Sequence, residues 1–285
     1  MEIIYKNSKK PQNIALLLGF FDGVHLGHLS VLKNIPQNIP TVVATFSSSP
    51  LEFFGKNIEY IYSRAKNYKL LAENGISFIY EQDFSNLAKL SADEYLNYLI
   101  QEFNPISITT GFNHTFGANR IGNPSFLEKN AISYKYFCTE PTIIDNDTVS
   151  STKIKALIKN GGLEKANKLL SRDFSITSSV IKGEQLGRKL GFPTANMKYP
   201  EHIVKIPYGV YKVNVLGYNA VMNWGIKPTF QKEETLEVHI PNFNEDLYGK
   251  TLEINILSKI RNEQKFDDIA SLTKQIEKDI EECLK

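Results

Sequence analysis

The chain has 285 residues, 42% hydrophobic and 22% charged, which is long enough for two domains of roughly 100 to 200 residues each and excludes wholesale disorder. Lys+Arg total 33 and Asp+Glu 31, a formal charge of +2, so no basic field gathers nucleic acid or another polyanion. Two isolated cysteines, Cys138 and Cys283, exclude a disulfide framework and paired zinc-ligand spacing, and the longest apolar run, Ile14 to Phe21, is far short of the roughly 18 residues that span a bilayer.

The opening residues, MEIIYKNSKK, lack the basic-then-apolar order of a secretion signal, so a cytoplasmic protein is expected. Ile14 to Phe20, an apolar run ending around a glycine, and Thr41 to Phe46, rich in β-branched residues, predict strands buried on both faces, hence a parallel sheet. Predicted helices at Ser63 to Asn74 and Ser91 to Phe103 alternate with apolar segments at Ser77 to Tyr80 and Ile106 to Thr109, a rhythm that predicts a doubly wound α/β domain. Ser151 to Asn160 and Leu163 to Leu170 read as two further helices, the first with a hydroxyl at its start and Gly161-Gly162 at its end.

After Arg172 the texture changes to short alternating segments, including Val210 to Val215, Thr235 to Ile240 and Thr251 to Leu257, which predict an antiparallel barrel. Phe266, Ile269, Leu272, Ile276, Ile280 and Cys283 form one stripe of a closing helix, expected to pack on that barrel. The change of rhythm puts the domain boundary near residue 172, dividing the chain into 1–172 and 173–285.

One constellation follows the first strand. In Gly19-Phe20-Phe21-Asp22-Gly23-Val24-His25-Leu26-Gly27-His28, two imidazoles stand three residues apart where exposed backbone N–H groups and a helix dipole already favour an anion. Gly23 and Gly27 let the backbone turn and approach a ligand, while His25 and His28 can donate to phosphoryl oxygens as charge builds up. A second constellation is Gly183, Gly187 and Gly191 followed by Phe192-Pro193-Thr194-Ala195-Asn196. Alternate side chains of an extended segment share a face, so Thr194 and Asn196 can both meet a hard cation such as Mg²⁺ also held by nucleotide phosphates; a glycine-rich hairpin loop is the plain alternative.

These motifs resemble a known family. FFDGVHLGH is similar to the H-x-G-H signature of nucleotidylyltransferases as carried by bacterial bifunctional riboflavin kinase/FAD synthetases. Gly111 to Gly117 (GFNHTFG) resembles that family's flavin-side loop, and Ser150 to Lys155 (SSTKIK) its second phosphate segment. GRKLGFPTAN, Pro207 to Tyr211, Asn223 to Phe230, Glu237 to Ile240, Asp246 to Gly249 and Ile260 to Phe266 resemble the riboflavin kinase blocks in order. Three departures stand out: Ser47 to Ser49 where an acidic residue, proline and histidine are usual, His114 where phenylalanine is usual, and Lys155 where arginine is usual, which keeps the charge without the bidentate fork.

The resemblance implies an N-terminal Rossmann-like nucleotidylyltransferase domain and a C-terminal antiparallel flavokinase barrel with a terminal helix. It implies ATP and Mg²⁺, with riboflavin, FMN and FAD as substrates and products. Nucleotide binding then falls to Gly19, Phe20, Asp22, Gly23, Gly27, Ser151, Thr152, Lys153, Lys155, Gly183, Gly187 and Gly191, with His25 and His28 stabilising the transition state. Asn113, Thr115 and Phe116 face the flavin, Thr194 and Asn196 hold Mg²⁺, and Glu237, on the polar face of its alternating strand, is the implied base. Arg261 is expected either at a flavin or phosphate edge or in an ion pair, and His239 in a structural role. The alternatives are a monofunctional riboflavin kinase with an impaired N-terminal domain, and a flavin-sensing or nucleic-acid-binding regulator; the expectation favours an enzyme that meets neither nucleic acid nor membrane, as a monomer or weak homo-oligomer.

Overall fold

The computed structural model describes the chain except for residues 37, 184–186, 188–189 and 227–233. Glu184, Gln185, Leu186, Arg188 and Lys189 of the glycine-rich stretch, and Lys227, Pro228, Thr229 and Phe230 of a later block, therefore lie outside the described residues. The chain divides into two compact units, Met1–Ser151 and Thr152–Lys285. The change of rhythm near residue 172 falls later than this division because the helix Leu163–Leu170 packs on barrel strands, and Asn167 fastens it there by accepting from the Phe174 N–H at 2.8 Å.

In the first unit six parallel strands run in the order β1 (Glu2–Ile4), β4 (Phe78–Gln82), β3 (Thr41–Phe46), β2 (Ala15–Leu18), β5 (Ser107–Gly111) and β6 (Lys135–Thr139). All four residues of β2 are buried, as a strand covered on both faces requires. The predicted helices begin and end on their caps. Helix α3 (Arg64–Glu73) starts at Ser63, whose hydroxyl accepts from the Lys66 N–H, and α4 (Ala92–Phe103) starts on a capping box of Ser91 and Glu94. The strand order reverses beside β2: the chain moves outward through β3 and β4, then returns to the other side at β5. In open α/β sheets ligands bind at such a switch point, at the carboxyl ends of the strands, and the loops after β2 and β5 both emerge there.

In the second unit β9 (Phe174–Ile181), β10 (Ala195–Met197), β11 (Gly209–Val215), β12 (Tyr218–Ile226), β13 (Glu234–His239) and β14 (Thr251–Arg261) close an antiparallel barrel in the order β10-β13-β12-β11-β14-β9. Its interior takes alternate residues such as Leu236, Val238, Ile254 and Ile256, with Trp224 fully buried. The terminal helix, Ile269–Leu284, packs through its second half: Cys283 and Ile280 meet Val210, Val221 and Ile260. Ile269, expected on the buried stripe, is 66% exposed, and Phe266 precedes the helix altogether. Buried Asp279 supplies a polar anchor on the same half.

Candidate active sites

The loop after β2 is sharply bent. Phe21, Gly23 and Val24 have φ of 54°, 87° and 39°, so three of four consecutive residues leave the common regions of backbone space. The bend delivers His25 as the N-cap of α1 (Leu26–Lys33), its Nδ1 accepting from the His28 N–H at 3.3 Å. Because Nδ1 accepts, the neutral ring carries its proton on Nε2, which lies 3.2 Å from Ser151 Oγ; that hydroxyl in turn donates to the Asp22 carbonyl at 2.9 Å. The His28 ring stacks on His25 with centroids 3.6 Å apart. Burial, with the charge of His25 adding to it, holds the His28 imidazole well below its ordinary pKa, so the stacked rings are not both charged at neutral pH. His28 Nδ1 is buried and has no hydrogen-bond partner among the described residues. A Cβ at Gly27 would stand 3.2 Å from the His25 ring, which explains the glycine between the histidines.

Two helix starts, α1 after His25 and α6 (Ser151–Lys159) at Ser151, thus carry the polar groups read from the sequence, and Thr152, Lys153 and Lys155 follow Ser151 along α6. Asp22 has a different local task from the one expected: its buried carboxylate accepts from the Ile61 N–H at 2.9 Å.

Beside this loop, at the carboxyl ends of β2 and β3, lies a cavity of about 580 Å³, a size typical of small-molecule sites. Gly19, Phe20, Phe46, Tyr95, Thr115 and Phe116 are among the residues that line it. Its wall is largely aromatic, suited to a flat ring system. Thr115 and Phe116 stand where the flavin-side reading puts them, whereas Asn113 is exposed and outside the lining. His114 also lines the cavity, stacked near Phe116 with centroids 5.8 Å apart, and burial pushes its pKa down to about 4. The aromatic contributions of Phe46, Phe54, Phe84 and Tyr95 were not legible as a site, since each reads as an ordinary core or surface aromatic; their one signal is position just after a strand or near a helix start.

On the barrel, β10 and β13 pair antiparallel with Asn196 opposite Glu237. Leu236 and Val238 fill the interior, so Glu237 and Asn196 project from the outer face. Thr194 Oγ1 donates to Glu237 Oε2 at 3.4 Å, and the Asn196 amide lies 3.5 Å from Thr194 Oγ1. Three residues separated by up to 43 positions therefore form one oxygen-rich cluster. Gly183 and Gly187 are explained by crowding here: a Cβ at Gly183 would fall 2.4 Å from Asn196 Cγ, and one at Gly187 2.4 Å from the Phe192 carbonyl. Gly191, at φ 89°, serves backbone geometry instead. His239 Nδ1 donates to the Pro193 carbonyl at 2.8 Å, fastening the turn that carries Thr194 to β13. Arg261 grips buried Asp279 through Nε and Nη2, at 2.9 and 2.7 Å, and Nη1 donates to the Asn262 carbonyl. The ion-pair alternative for Arg261 is the one present.

The FAD synthetase family model matches residues 7–153 and the riboflavin kinase family model residues 170–285. Proteins named bifunctional riboflavin kinase/FMN adenylyltransferase are similar over nearly the whole length: 36% identical in Buchnera aphidicola subsp. Schizaphis graminum, covering 98% of this chain and 95% of that one. The Haemophilus influenzae protein is 34% identical over 98% and 96%, and the Bacillus subtilis protein 32% identical over 95% and 91%. A solved Streptococcus pneumoniae structure titled a macrolide-efflux protein superposes with a TM-score of 0.90 at 30% identity, covering 98% of this chain and 97% of that one. With both family models matched in tandem and the likeness running end to end, the chain belongs to the bifunctional riboflavin kinase/FMN adenylyltransferase family.

Proposed function

We infer that residues 173–285 phosphorylate riboflavin with ATP and that residues 1–172 adenylylate the resulting FMN. The observation that carries the first half is the gathering of Thr194, Asn196 and Glu237 on the outer face of the barrel. Glu237 accepts the proton of the ribityl terminal hydroxyl as its oxygen bonds to the γ-phosphorus; the bond from that phosphorus to the β-bridging oxygen breaks, and ADP leaves. The hydroxyl and amide oxygens of Thr194 and Asn196 suit a hard cation, and a site of so few protein oxygens matches Mg²⁺, which is commonly completed by nucleotide phosphates and water. The cation, when bound, neutralises charge on the transferring phosphate. Gly183 and Gly187 keep the preceding backbone close to this cluster.

In the first unit no protein nucleophile is required. An FMN phosphate oxygen bonds to the α-phosphorus of ATP, the bond to the β-bridging oxygen breaks, and pyrophosphate leaves. His25 and His28, with the helix starts at His25 and Ser151, hold ATP and stabilise the charge that develops. Lys153 and Lys155 add positive charge for the triphosphate. The aromatic cavity takes the flavin ring against Thr115 and Phe116, while Asn113 serves the rim and Arg261 is read as the tie of the terminal helix. The same reading places the chain in the cytoplasm, as a monomer or weak homo-oligomer without nucleic-acid or membrane partners; among the described residues no helix is long and apolar enough to cross a membrane. Chromatography of products from riboflavin, ATP and Mg²⁺, beside a reaction started from FMN, tests it: FAD in both supports two activities, and FMN alone supports the monofunctional reading.

A further inference from the structure

The loop that presents His25 and His28 carries unfavourable backbone angles at Phe21 and Val24, and such a conformation persists only where its surroundings over-determine it. The segment Ile61–Asn67 supplies that support. Ile61 is fully buried, and its side chain comes so close to Gly23 that a Cβ there would stand 2.7 Å from Cδ1. Its backbone N–H is bound by the Asp22 carboxylate at 2.9 Å. Six residues on, in the first turns of α3, Asn67 returns the arrangement: its Oδ1 accepts from the Gly23 N–H at 2.9 Å, and its Nδ2 donates to the Tyr62 carbonyl at 3.4 Å. Side chain binds backbone in both directions, so loop and segment are locked at two successive residues. Asn67 is 7% exposed, between Leu70 and Leu71 on one side and buried Ile61 and Tyr62 on the other. A buried amide at an otherwise apolar helical face is costly unless paired, and both of its ends are paired here.

We propose that Asn67 is a positioning residue for FAD formation, acting through the Gly23 N–H to set the loop from which His25 and His28 meet the nucleotide. The inference rests on the adenylylation reading of the first unit. Beyond Gly23, the line of contacts runs through the Asp22 carbonyl to Ser151 Oγ and on to His25 Nε2, so a shift of the loop displaces the imidazoles and the second helix start together.

The test uses the full-length chain and compares Asn67→Ala and Asn67→Asp with wild type, reading FAD formation from FMN and ATP, and FMN formation from riboflavin in the same samples. For Asn67→Ala the kcat of FAD formation falls by about tenfold to a hundredfold, the size of effect that small misplacements produce, while KM for FMN stays within about twofold and FMN formation is unchanged. Asn67→Asp keeps an acceptor for the Gly23 N–H and recovers most of the rate. Folded Asn67→Ala with the wild-type kcat for FAD overturns the proposal while leaving adenylylation in place. Wild-type protein that makes no FAD overturns adenylylation and the proposal together. Should Asn67→Ala not fold, Asn67→Ser with hydrogen exchange at the Gly23 amide decides the matter: faster exchange with a lowered kcat supports the clamp, and wild-type protection with wild-type kcat refutes it.

Discussion

Asn196 and Glu237 stand directly opposite each other across the ladder of β10 and β13, with the Thr194 hydroxyl 3.4 Å from the Glu237 carboxylate. Barrel closure fixes this register. A slip of one residue would turn Glu237 into the interior beside Leu236 and Val238, where an unpaired carboxylate is prohibitive. The cluster is thus held by the same alternation that builds the core.

Replacing Glu237 with Gln keeps size and hydrogen-bonding capacity but removes the base. FMN formation is expected to fall by about 10² to 10⁴-fold in kcat, the usual contribution of general base catalysis, with KM for ATP little changed. Steady-state assay of FMN from riboflavin checks this, and an unaffected kcat removes Glu237 from the chemistry.

Gly183→Ala places a methyl within 2.4 Å of Asn196 Cγ. Either the arch or the Asn196 side chain must shift, so KM for ATP in FMN formation rises and the barrel loses about 1 to 3 kcal/mol, as overpacking does. The loss appears as a lower denaturant midpoint. Gly191→Ala is a control of another kind: at φ 89° it strains the backbone although no atom lies within 4 Å of the new methyl.

Burial lowers the pKa of His114 to about 4 from an ordinary 6.5, and that of His28 in the same direction. Between the two values an unfolded histidine binds more protons than the folded one. Stability of the first unit is therefore greatest above pH 6.5 and falls as pH drops toward 4. Urea midpoints across this range should decline for wild type and decline less for His114→Phe; equal slopes would contradict the buried neutral imidazole.

Arg261 and Asp279 have side chains 19% and 3% exposed and form the tie between β14 and the terminal helix. Arg261→Met leaves the carboxylate buried without its cation and should cost about 3 to 5 kcal/mol. Arg261→Met/Asp279→Leu should recover most of that loss. If KM for riboflavin in folded Arg261→Lys rises sharply with no change in stability, Arg261 serves the flavin instead.

The sequence reading captured the two layers of chemistry where a local signal existed. Alternation exposed Glu237 opposite Leu236 and Val238, Ser91 with Glu94 marked the start of α4, and His25 and His28 between glycines marked the phosphate-type turn. It could not show that Asp22 spends its carboxylate on the Ile61 N–H, or that Asn67 binds Gly23, because both contacts span about forty residues and leave no periodic trace. The terminal stripe was half right for a related reason. Hydrophobic spacing continues through Ile269 and Leu272, but only the second half of the helix meets the barrel, where Cys283 and Asp279 are buried. Likewise the stretch β12, with polar Asn219 and Asn223 and two internal small residues, gave little strand signal; its pairing with β11 and β13 supplies the structure.

The central claim, two separate sites working in sequence on one chain, is tested most directly by mixing two inactive variants. Glu237→Gln alone should make no FMN from riboflavin yet adenylylate supplied FMN, and His28→Ala alone should accumulate FMN without FAD. Combined in one tube with riboflavin, ATP and Mg²⁺, the two should restore FAD, because FMN released by one molecule reaches the intact first unit of the other. Loss of both activities in either folded variant, or failure of the mixture to make FAD, would contradict it.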